Sequence, residues 1–160
     1  MKMTFAKKDK KMESYNIPVE EVANYFLDKL EAETGDCISN LKLQKLVYYA
    51  QGFVMALKNK KLFNDDIKAW EHGPVIERLY RKYKENGSKP ITRPDNIEFP
   101  KLSQYEDLMD ILDEVYEVYG QYSAWRLRDM THKETPWLNT ERNKTISDEL
   151  MLSFFKTQIN

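Results

Sequence analysis

Apolar residues recur along most of the chain at helical spacing, and the interruptions mark where helices stop. From Val19 the positions Val22, Ala23, Phe26 and Leu30 share one face, with Pro18 suited to a first turn and Glu20 and Glu21 near the positive helix end. Gly35 and Asp36 break that pattern, and Ser39 or Asn40 can cap a second helix whose stripe is Leu43, Leu46, Val47, Ala50, Val54 and Leu57. Its other face carries Lys42, Lys45, Tyr49 and Gly52, which predicts one side turned to solvent or a partner. Ile67 to Trp70 alternates as a short strand does.

Gly73-Pro74 then predicts a helix start with proline in its first turn. Val75, Ile76, Leu79, Tyr80 and Tyr83 form its buried face until Asn86-Gly87. Pro90, Pro94 and Pro100 make the next stretch an extended connector. Ser103 to Glu106 has the spacing of a capping box, opening a helix on which Tyr105, Leu108, Met109, Leu112, Val115, Tyr116 and Tyr119 repeat before Gly120. Ser123 can cap a shorter helix through Thr131, Pro136 predicts an irregular segment to Asn143, and Ser147 opens a final helix with Leu150, Met151, Phe154 and Phe155. The expected fold is therefore mainly α: a compact single domain of about six helices with a small β element near Ile67–Trp70.

Composition changes this picture little. At 160 residues one domain is expected, and Met1 to Lys11, with five lysines and little apolar material, reads as a flexible basic leader, so that residues 1–12 precede a domain over 13–160. The lone Cys37 can form no disulfide within the chain, and neither a signal-type segment nor a run long enough to cross a bilayer is present, which points to the cytoplasm. A net charge of −1 argues against general attraction to nucleic acid or to acidic membrane.

Candidate chemistry is thin. One cysteine and two scattered histidines do not make a zinc site, and the few isolated glycines supply no phosphate loop, dinucleotide fingerprint or nucleophile elbow, so neither metal nor cofactor is expected. His72 beside Glu71, and His132 near Glu134, leave open a small ligand-binding protein or enzyme. Arg78, Arg81, Lys82 and Lys84, with Lys58, Lys60 and Lys61 before them, leave open a nucleic-acid-binding regulator.

The segment from Asn40 through Leu43-Gln44-Lys45-Leu46-Val47-Tyr48-Tyr49 to Gly52 resembles the opening motif of the Panacea domain of SocA-like antitoxins, also known from phage-associated proteins of the GepA type. Two further pieces agree in order: Ala69-Trp70-Glu71-His72-Gly73-Pro74-Val75 with Tyr80, and Leu127 with Thr131-His132-Lys133-Glu134 and Pro136-Trp137. Val47, Tyr49 and Thr135 are mild departures. The resemblance implies no enzyme but an antitoxin that neutralises a cognate toxin by direct contact. The toxin would be encoded by the adjacent gene and in some cases delivered to a ClpXP-type protease. Within the motifs Leu43, Val47, Gly73, Pro74, Trp70 and Trp137 read as scaffold. The polar members Gln44, Lys45, His72, Thr131 and His132 are expected to support a shared groove, with Lys45, Tyr48 and Tyr49 as contacts at it and the basic Arg78, Arg81 and Lys82 pairing with an acidic partner.

Overall fold

The computed structural model describes residues 12–31 and 37–160. The expected leader lies outside them apart from Met12, which packs half-buried against the core. The described residues hold seven α-helices and one two-stranded sheet, besides three short 3₁₀ turns: α1 (Val19–Asp28), α2 (Asn40–Lys58), β1 (Lys68–Trp70), β2 (Gly73–Val75), α3 (Glu77–Tyr83), α4 (Glu106–Tyr119), α5 (Ala124–Thr131), α6 (Thr135–Leu138) and α7 (Asp148–Lys156). The mainly α architecture agrees with the periodicity. No helix among the described residues is long and apolar enough to cross a membrane.

The 19-residue α2 is the axis of the molecule and packs against α1, α3, α4, α5, α7 and β2. Ser39 caps it by accepting from the Lys42 amide, and Asn59 closes it in the left-handed conformation (φ 55°) with its N–H on the Met55 carbonyl. Surrounded in this way, α2 has no solvent face over most of its length. Lys45, Tyr48 and Tyr49 are fully buried, and Lys42 is only 8% exposed.

The expectation of an open polar face was therefore wrong, and Gly52 shows why. The Phe155 ring of α7 lies so close that a Cβ on residue 52 would sit 2.1 Å from it. A residue read from the sequence as solvent-facing is the contact point of the C-terminal helix. Leu57 departs the other way: it continues the apolar stripe of α2 and yet is 49% exposed.

Six helices lie where the sequence placed them, with three local corrections. Gly73-Pro74 does not open a helix; it forms β2, which pairs antiparallel with β1 in the register Lys68↔Val75, Ala69↔Pro74, Trp70↔Gly73, and α3 starts later at Glu77. Gly73 at φ +107° permits the tight return after Glu71-His72. The capping box is not used: Leu102–Gln104 is a 3₁₀ turn, the Ser103 hydroxyl donates to the Pro100 carbonyl, and α4 begins at Glu106 with no side-chain cap. Pro136, expected to keep its segment irregular, instead occupies the first turn of α6, where its missing N–H costs nothing. Ser123 and Ser147 do cap α5 and α7, accepting from the Arg126 and Leu150 amides.

One continuous apolar core runs from Ile17 and Val19 through Phe26, Leu46, Phe63, Leu79, Leu112 and Leu127 to Phe155. Segment 143–146 passes along the free edge of β1, with the Ala69 and Ile146 amides donating to the carbonyls of Lys144 and Ile67. That contact ties the chain before α7 to the hairpin.

Candidate functional site

The motif residues meet where α2 passes beneath the β1–β2 hairpin and α5. Gln44 accepts from the Ile76 amide (2.8 Å) and donates to the Asn40 side chain (3.0 Å), and Asn40 in turn donates to the Tyr80 carbonyl (3.2 Å). At the next position along α2, the Lys45 ammonium donates to the Pro74 carbonyl at 3.1 Å. Gly73 lies directly above it: an added Cβ would come within 2.7 Å of both Lys45 Cε and Thr131 Oγ1. Gly73 is thus required by its backbone angle and by the space the lysine and threonine fill. Burial lowers the Lys45 pKa to about 7, helped by the charge of Arg128.

A second cluster lies along the same helix. The Tyr48 and Tyr49 hydroxyls donate to the two oxygens of Glu134 at 3.0 and 2.8 Å, so one carboxylate between α5 and α6 anchors both rings of α2. Tyr49 also stacks on Tyr119 at 3.8 Å, and Phe155 meets Tyr48 edge-on. Burial raises the Glu134 pKa to about 7 against the opposing effect of the two hydroxyls, and it raises the tyrosines as well. The pairing therefore holds neutral phenols against a carboxyl that titrates near neutrality.

His132 is stacked face to face on Trp137 at 3.9 Å, and the Arg142 guanidinium covers the same indole at 3.6 Å. The indole N–H donates to the Trp70 carbonyl (2.7 Å), which joins α6 to β1. Burial, with Arg128 second, lowers the His132 pKa. His72 is elsewhere, on the hairpin turn, exposed, with Nδ1 accepting from Arg128 Nε at 3.1 Å and its ring beside Trp125. The Arg128 guanidinium also covers the Trp125 ring at 4.4 Å, and Trp125 is 57% exposed.

A cleft of about 370 Å³ opens beside the hairpin, lined by Gln44, Trp70, His72, Val75, Tyr80 and Ser88 among others. Of the five polar motif residues expected to support one groove, Gln44 and His72 reach it. Lys45 and Thr131 lie behind the hairpin, and His132 is held against Trp137. Lys45, Tyr48 and Tyr49 cannot be surface contacts in this fold, since none has exposed surface. Arg78, Arg81 and Lys82 are exposed on α3, with Arg78 shared between Asp65 and Glu20 and Arg81 bonded to Glu77.

Sequence reading missed what Glu134, Arg128 and Arg142 do, because each acts across long separations that spacing does not encode. The buried clusters fix β1–β2, α5 and α6 onto α2. Among the described residues no three His, Cys, Asp or Glu side chains converge as a metal site.

Residues 43–138, which hold nearly all of these contacts, match the family model for the Antitoxin SocA-like, Panacea domain. The chain is also 42% identical over 132 residues to Antitoxin SocA of Caulobacter vibrioides (strain NA1000 / CB15N), a match covering 76% of this chain and 69% of that protein. No solved structure matches it. With motif, polar network and relative in agreement, the chain belongs to the Panacea-domain family of SocA-like antitoxins.

Proposed function

We propose that this chain neutralises a partner toxin by direct protein–protein contact. The observation that carries the reading is the 42% identity to Antitoxin SocA over 76% of this chain, together with the family match over residues 43–138, which spans the helices and hairpin held by the buried polar network. A scaffold whose signature side chains are spent internally leaves recognition to exposed surface, as suits a family that must meet different partners on one fold. Lys45, Tyr48 and Tyr49 serve that scaffold, and Arg78, Arg81 and Lys82 remain on the surface.

The test is co-expression with the product of the adjacent reading frame. Rescue of growth together with a complex that survives purification supports neutralisation by contact. A neighbour that is harmless alone and never co-purifies refutes it. The lifetime of the neighbour's product in cells with and without a ClpXP-type protease separates occlusion, in which it persists, from delivery, in which it disappears only when both the antitoxin and the protease are present.

A further inference from the structure

We propose that the groove between α2 and α4 receives a basic amphipathic helix of the partner protein; this deepens the antitoxin reading and rests on it. The groove has a volume of about 360 Å³ and is lined by Phe53 and Leu57 of α2, by Ile111, Glu114, Val115, Val118 and Tyr119 of α4, and by Gln158, Ile159 and Asn160 beyond α7. Leu57 and Val118, 49% and 43% exposed, are two of the four large apolar side chains that the described residues leave to solvent. Apolar surface gathered in a concave strip marks an interaction site more than the same residues scattered singly.

Charge specifies the occupant. α4 carries six carboxylates and no lysine or arginine. Asp107, Asp110, Glu114 and Glu117 follow one another at separations of three, four and three, so they form a single stripe along the helix. It runs beside the apolar stripe Ile111, Val115 and Val118, and Glu114 lines the groove. Lys58 at the end of α2 takes Asp107 at 2.7 Å, while Asp110, Glu114 and Glu117 make no ion pair among the described residues.

The complement of an apolar strip with an acidic edge is a helix with apolar side chains at i, i+3/i+4 and i+7 and lysine or arginine beside them. α4 has 14 residues and so offers about 21 Å, room for a partner helix of three to four turns. Among the described residues a second copy of this chain offers no such helix on α3, whose Leu79 and Tyr83 are buried in its own core.

The experiment measures affinity for the co-expressed neighbour, with wild type beside Leu57→Asp/Val118→Asp and Glu114→Lys/Glu117→Lys. Far-UV circular dichroism and thermal midpoints establish that the variants fold, and Leu57→Ala/Val118→Ala is read if the aspartates unfold the chain. Each pair is expected to weaken the complex by about tenfold or more, and the lysine pair is also expected to flatten its dependence on salt. Folded variants that bind as wild type does overturn the groove and leave the antitoxin reading standing. A wild type that neither rescues nor co-purifies removes that reading, and this inference with it. Self-association abolished by the same substitutions, with partner binding intact, would make the groove an interface between copies and overturn the proposal.

Discussion

Replacing Lys45 by methionine should change how stability depends on pH more than it changes stability itself. The ammonium is fully buried, and its folded pKa of about 7 lies well below the 10.5 of a free lysine. Between those values the unfolded chain holds one proton more than the folded chain, so stability rises with pH by about 1.4 kcal/mol per unit. From pH 7 to pH 9 the gain is about 2 to 3 kcal/mol, allowing for partial titration at the lower end. Below pH 7 the folded state keeps a buried charge that the Pro74 carbonyl only partly solvates.

Methionine has nearly the same reach and no charge, so Lys45→Met should match or exceed wild type at neutral pH and lose that advantage by pH 9. Urea titrations followed by tryptophan fluorescence at pH 7, 8 and 9 supply the difference between the two proteins, in which the other titrating groups cancel. A change in relative midpoint of about 1 M across that range is expected. Parallel curves would refute the reasoning, since they would mean that Lys45 keeps an ordinary pKa inside the fold.

Glu134 should act in the opposite direction on the acid side. Its carboxyl is raised from 4.5 to about 7, so the folded chain holds the extra proton and wild-type stability falls by up to about 3 kcal/mol between pH 4.5 and 7. Glu134→Gln should flatten that limb in the same urea assay. Gly52→Ala should destabilise the chain although alanine is the better helix former: about 1 kcal/mol of propensity is gained and about 1 to 3 kcal/mol or more is lost in displacing the Phe155 ring. Phe155→Leu should destabilise wild type but recover part of the loss in the Gly52→Ala background, and additive thermal shifts would contradict the contact.

The sequence made the helices legible because a 3.6-residue period survives wherever one side of a helix is apolar and the other wet, as on α1 and α4. It misled on α2, where neighbours close on nearly all sides and Lys42, Lys45 and Tyr49 are buried by contacts with β2, the end of α4, and α7 that no local pattern encodes. The Gly73-Pro74 pair carries the signals of a helix start, but the φ of +107° at Gly73 and the lysine beneath it turn the pair into a strand. Membership of the antitoxin family was legible in the motif residues. Their roles were not, since the partners of Lys45, Tyr48 and Tyr49 lie about 30 to 85 residues away. The groove announced itself only through Leu57, a stripe residue that the fold leaves uncovered.

The contact of Phe155 with Gly52 also sets an order of assembly. On the ribosome α2 emerges about a hundred residues before the ring that covers its centre, an interval of roughly 5 to 20 s at ordinary elongation rates. Through that interval Tyr48, Tyr49 and Phe53 lack the aromatic neighbour that α7 brings. The nascent antitoxin therefore passes through a stage with adhesive aromatic surface on its central helix, and arrival of the last helix converts that surface into core.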